Sequence, residues 1–255
     1  MLIKTVIAFF SSLILIKQIP FKSTRIESNV LEQFYLINGS NLYMFSNDGV
    51  VVHSYSNKNI GEITQVDVSN PMRILLYYAD FNQLHFLNNK LSPIASPILL
   101  DELGYTSVGG VCNSFQNGFW IYDSQKEQPI LFSSTLELKY KGTTITLPDS
   151  VTSIPLLMCE EGKRLYLAFA GYGLYIFEQT GNLLRFIPID ELKYIQIKGN
   201  YAYYLANQIF YRLDLNSYQT QMIEKKIQNF YGFTVLSDKI IFATHDSLSF
   251  YSIRQ

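Results

Sequence analysis

Apolar runs of four to seven residues, bounded by clusters of Asn, Asp, Ser and Gly, recur along almost the whole chain. Their length and their Tyr, Phe, Val and Ile content fit strands rather than helices, because such side chains sit well on a pleated surface. The turns between them, such as "NDG" at 47–49 and "QTGN" at 179–182, supply residues that tolerate the positive φ of tight hairpins.

The runs repeat in groups. An aromatic-anchored strand appears as "NLYMFS", "NQLHFL", "QPILFS", "GLYIFE", "NQIFYRLD" and "SLSFYSI". Its anchors Phe45, Phe86, Phe132, Phe177, Tyr211 and Phe250 lie 34 to 46 residues apart. A second apolar strand precedes each anchor, and a third precedes most of those ("EITQVDV", "SVGGVCN", "SIPLLMC", "KYIQIKG", "FYGFTVL"). A four-stranded antiparallel unit repeating near forty residues is the pattern of a propeller blade. One such sheet cannot cover both its faces, whereas a closed ring of them can.

The pattern therefore predicts an all-β chain folded as a β-propeller. Its six blades fall at 34–56, 62–98, 106–141, 151–189, 192–225 and 229–255. The last blade ends after its third strand, so residues 23–31 ("STRIESNVL") are expected to donate the missing one and close the ring. Five or seven blades are the neighbouring alternatives. A sandwich would explain the alternation but not the repeat.

The first residues read differently. Residues 5–16 form an apolar run, preceded by Lys4 and followed by Lys17 and Pro20. That is short for a membrane span and fits the centre of a secretory signal. Residues 1–22 are expected to be a signal peptide cut between Lys17 and Ser23, or an uncleaved N-terminal anchor, ahead of a propeller domain at 23–255. A plain first strand, flanked by Lys4 and Lys17, is the remaining alternative. On the export reading the protein is periplasmic or membrane-associated, touching the membrane only through this segment or a partner.

Composition narrows the function classes. The formal net charge is −1 and Lys and Arg are not clustered, so nucleic acid is not an expected partner. The two cysteines, Cys112 and Cys159, are too few for a disulfide scaffold. They read as small core residues or as one bridge between neighbouring sheets.

The chain resembles the divergent six-bladed, NHL/YWTD-like propellers of bacterial cell envelopes. The residues that carry the resemblance are the Asn/Asp-Gly hairpins before apolar strands and the "LYMF" and "LYIF" anchors. The stretch "QVDVSNPMRILLYYADFNQLHFLNN", followed by "LDELGY" and "VCNSFQNGFWIYD", is similar to an uncharacterised family of exported propellers. The resemblance implies a fold and a compartment and no activity.

Catalytic patterns are sparse. His53, His85 and His245 fall in different units without metal-ligand spacing. No G-x-S-x-G or phosphate loop occurs. Inner strands could bring Asp67, Asn113 and Glu160 to a central channel, too few oxygens for a hard cation. No metal or other cofactor is expected. Among the tyrosines, Tyr105, Tyr172 and Tyr231 are candidates for a surface binding patch, with packing between blades as the ordinary role. Gly109–Gly110 suggests a bulge or a close contact between blades. The reading is a non-enzymatic binding or scaffold propeller of the cell envelope with a protein partner. The alternatives are a lactonase-like hydrolase with a metal in the channel, and a glycan- or peptidoglycan-binding module.

Overall fold

A computed structural model describes residues 13–225, 227 and 229–253. It contains six four-stranded antiparallel sheets, and the only helical pieces among the described residues are three 3-10 turns. The chain is a six-bladed β-propeller. The inner strands are Arg25–Ser28, Gln65–Asp67, Val108–Asn113, Leu157–Glu161, Leu192–Lys198 and Gly232–Val235, and from the second blade through the sixth to the first each contacts the next.

Six hydrophobic clusters fill six blade-to-blade interfaces. The strand Ile74–Tyr78 shows how. Ile74, Leu76 and Tyr78 pack toward the first blade, while Leu75 and Tyr77 pack toward the third. Both faces of a middle strand are buried, so it reads as a continuous apolar run. Aromatic stacking ties neighbouring strands within a blade. Phe34 stacks on Phe45 at 4.8 Å, and Phe119 on Phe132 at 5.4 Å.

The closing strand differs from the expectation. Arg25–Ser28, placed in the sequence as the donor to the last blade, is the innermost strand of the first. The last blade is completed by Leu13–Pro20, antiparallel to Ser247–Ile253, with a register shift between Leu15 and Lys17. The physical reason lies in position. An inner strand faces a polar channel and needs few apolar residues, and "RIES" has one. An outer strand packs on one side, as the half-exposed "LILIKQIP" does. Eight residues of the segment read as a leader thus belong to the ring; residues 1–12 lie outside the described residues.

Gly109 sits where the third blade presses on the linker to the fourth. A Cβ there would lie 2.8 Å from the Ser153 carbonyl, and the ladder shifts register between Val108 and Gly110. The expected bulge and close contact are both present. Cys112 is buried, Cys159 is half-buried, and they form no disulfide.

Candidate functional site

The inner strands enclose a central cavity of about 110 Å³. Its lining includes Glu27, Asp67, Glu160 and Glu161, with Arg25 and Lys198 as the cations. Burying charge without partners is costly, so the partners decide what these groups can do.

Most are engaged in joining blades. Asp67 Oδ2 accepts the Asn113 backbone N–H at 2.7 Å, and Oδ1 accepts that of Ser69 at 2.7 Å. Asn113 Oδ1 accepts from Arg73 at 2.7 Å, and its amide donates to the Arg73 carbonyl at 3.1 Å. The Arg73 guanidinium lies over the Phe86 ring at 3.8 Å. Glu160 Oε2 accepts the indole N–H of the fully buried Trp120 at 2.7 Å, and Oε1 accepts the Phe115 N–H at 3.3 Å. The structure thus brings Asp67 and Asn113 into contact and sets Glu160 on the same cavity, but the histidines lie elsewhere. Among the described residues no group of three His, Cys, Asp or Glu could hold a metal ion.

Two glutamines do the same work unannounced. Gln65 accepts the Val111 N–H at 2.9 Å and donates to the Gly109 carbonyl at 3.1 Å, tying blade two to blade three. Gln196 accepts the Val235 N–H at 2.7 Å and donates to Thr234 and Ser28 at 3.1 Å, tying blade five to blade six and blade one. Their settings, "TQVD" and "IQIK", are equivalent positions half a ring apart. That correspondence is the signal by which the sequence could have revealed them. Lys198 follows Gln196 and bonds both Glu32 at 3.0 Å and the Val235 carbonyl at 2.9 Å.

Two carboxylates of the cavity keep an oxygen open among the described residues. Glu27 Oε1 pairs with Arg25 Nε at 3.0 Å, and Glu161 Oε1 accepts the Gly199 N–H at 3.3 Å. Burial pushes both carboxyls above the usual range. Arg25 opposes the shift at Glu27 and the Gly199 bond opposes it at Glu161, while the negative charge of Asp67 raises both further.

The tyrosine candidates are half-buried parts of the walls. Tyr105 meets Phe132 edge-on at 5.5 Å, and Tyr172 packs on Phe186 at 4.8 Å. Tyr231 shares a short hydrogen bond with Ser23 and lines a second cavity, of about 170 Å³, beside Tyr194 and Phe233.

The inner strands run the same way through the ring, so they end on one face, here termed the far face. Each continues there into a hairpin. Three consecutive hairpins raise apolar tips around the channel mouth: Val30 and Leu31 are 69% and 61% exposed, Met72 is 62% and Phe115 is 78%. Polar bases hold the first two in shape. Asn29 Oδ1 accepts the N–H groups of Leu31 and Gln33, and Asn70 Oδ1 accepts that of Met72. No sequence reasoning singled these residues out, because each lies within a turn or in the segment read as the closing strand.

No family model matches this sequence, and no curated protein matches it. Solved structures do match in shape. The WD40 domain of Neurospora crassa Pan2 superposes with a TM-score of 0.62 at 8% identity, covering 92% of this chain and 90% of that one. A streptogramin B lyase gives 0.61 at 11%, covering 93% and 98%. PorZ, a surface component of the type-IX secretion system of Porphyromonas gingivalis, gives 0.53 at 10%, covering 92% of this chain and 38% of that one. At such identities the likeness is one of fold. The same fold occurs in a lyase, a WD40 domain and a secretion-system component, so function must be argued from the site.

Proposed function

We propose that this chain is a binding or scaffold propeller that docks a protein partner on its far face at the bacterial cell envelope, without chemistry of its own. The observation that carries this reading is the collar of Val30, Leu31, Met72 and Phe115, four large apolar side chains more than three-fifths exposed on adjacent hairpins. Exposed apolar groups that cluster around one feature are a mark of an interaction site, whereas scattered ones are ordinary. The channel chemistry supports it from the other side, since Asp67, Asn113 and Glu160 are spent on inter-blade hydrogen bonds.

Export rests on the apolar run at 5–16. On this reading the mature chain keeps residues from Leu13 onward, because a cut between Lys17 and Ser23 would remove the strand that completes the sixth blade.

The test compares two tagged full-length chains purified from gently solubilised membranes. One is wild type, and the other carries Val30→Ser, Leu31→Ser, Met72→Ser and Phe115→Ser. The expected result is a stoichiometric envelope protein with the wild type that is lost with the variant at an unchanged melting temperature. A wild-type chain that emerges alone, or a partner held equally by both, overturns the reading.

A further inference from the structure

The docking face is not uniformly apolar. Val30 belongs to the collar and also lines the central cavity, and Phe115 donates its backbone N–H to Glu160, a wall of that cavity. The collar therefore opens directly onto the acidic lining. Four carboxylates line the cavity against two cations. Both cations are committed, Arg25 to Glu27 and Lys198 to Glu32. Arg73 sits beside Asp67 through Asn113 and supplies that carboxylate with a nearby positive charge. Glu160 and Glu161 have, among the described residues, only neutral N–H donors. Among the described residues, Glu161 Oε2 and Glu27 Oε2 accept no hydrogen bond, and Glu27 keeps 21% of its side chain exposed.

We infer that the far face recognises a protein segment in which one Lys or Arg is flanked by apolar residues, the cation entering the channel mouth and the flanks seating on Val30, Leu31, Met72 and Phe115. This deepens the docking reading and rests on it. Charge complementarity selects the occupant. An incoming cation meets open carboxylate oxygens in a partly desolvated site, where charge-assisted hydrogen bonds are strong. An incoming carboxylate meets like charge. Size points the same way. Small-molecule pockets run to about 300–1,000 Å³, whereas this cavity of about 110 Å³ suits a single side chain. The raised carboxyls of Glu27 and Glu161 agree: burial is the main cause at both, with a smaller repulsion from Asp67, and a cation seated beside them would offset each.

Phage display of random dodecapeptides against the full chain tests this. Three baits are used: wild type, the variant Glu27→Gln with Glu161→Gln, and the four-serine collar variant, each verified as folded by its melting curve. The wild type is expected to enrich peptides with a single Lys or Arg between apolar residues. A synthetic peptide from that pool should bind the glutamine variant about tenfold more weakly, a difference of ~1.4 kcal/mol. Enrichment of apolar peptides without a basic centre, or equal binding to the wild type and the glutamine variant, overturns the inference and leaves the docking face standing. Enrichment of the same peptides by the collar variant overturns both. No enrichment at all overturns the inference, and the membrane purification then judges the docking reading alone.

Discussion

Glu160 is the residue at which a structural role and a catalytic one predict opposite outcomes. The residue is 9% exposed, and its carboxylate receives the indole N–H of Trp120, itself fully buried, at 2.7 Å. Replacing Glu160 with Leu removes the acceptor and leaves that N–H buried without a partner. Such an orphaned donor costs about 1–3 kcal/mol, and a hydrogen bond to a charged group is worth about 1.5–3 kcal/mol. A loss of about 2 kcal/mol is the expectation, or roughly 4–8 °C in Tm for a chain of this size. Glu160→Gln keeps an oxygen facing the indole and should lose only about 1 kcal/mol. Trp120→Phe leaves the carboxylate without its donor and shrinks the core between the third and fourth blades. In a double-mutant cycle the Glu160→Leu, Trp120→Phe pair should lose at least ~1 kcal/mol less than the sum of the singles, since one bond is removed twice. Urea melts of the four proteins supply the numbers. If Glu160→Leu costs under about 0.5 kcal/mol and the cycle is additive, the carboxylate is not spent on the ring, and the structural reading of the channel fails.

Deleting residues 1–20 removes the strand that pairs with Ser247–Ile253. The exposed edge should produce aggregation or loss of a single cooperative melt, read by gel filtration and calorimetry; an unchanged melt would refute strand closure by Leu13–Pro20. Gly109→Ala places a methyl 2.8 Å from the Ser153 carbonyl and should cost about 1–3 kcal/mol in a urea melt, where a neutral result would mean the linker yields freely. Glu27 and Glu161 have carboxyls raised by burial, so the folded state holds their protons more tightly than the unfolded state does. Their contribution is present below the unfolded value near 4.5 and is lost as pH rises through the folded values. The Glu27→Gln, Glu161→Gln variant should therefore gain Tm relative to wild type on going from pH 4 to pH 8, and a constant difference across that range would contradict the assignment.

The ring was legible because its middle strands are buried on both faces, so "ILLYYA" and "GFWIYD" stand out as unbroken apolar runs at a regular spacing. The ends of the repeat were not. "LILIKQIP" has the composition of a leader's apolar stretch and equally that of an outer strand packed on one side, and hydropathy does not separate the two. "RIES" carries too little apolar signal to look like an inner strand, because its neighbour is the polar channel. Asp67 and Glu160 line the channel because inner strands deliver their side chains there, and Asn113 lies beside Asp67, but the sequence could not say that backbone and indole N–H groups already engage the two carboxylates or that Arg73 engages Asn113. Gln65 and Gln196 escaped notice as isolated amides, and only their matching places in blades two and five reveal a shared role. The collar was hidden for a simpler reason. Apolar residues inside turns contribute nothing to periodicity, so Met72 and Phe115 became visible only when three hairpins met at one mouth.

Site-specific photo-crosslinking in the native cell tests the docking claim most directly. A benzophenone amino acid would replace Phe115, 78% exposed on the far face, and in a separate chain Phe81, 48% exposed on the turn between the second and third strands of blade two, at the opposite face. The account predicts a discrete protein adduct from position 115 and none from position 81. Adducts from position 81 alone, or the same adducts from both, would contradict it.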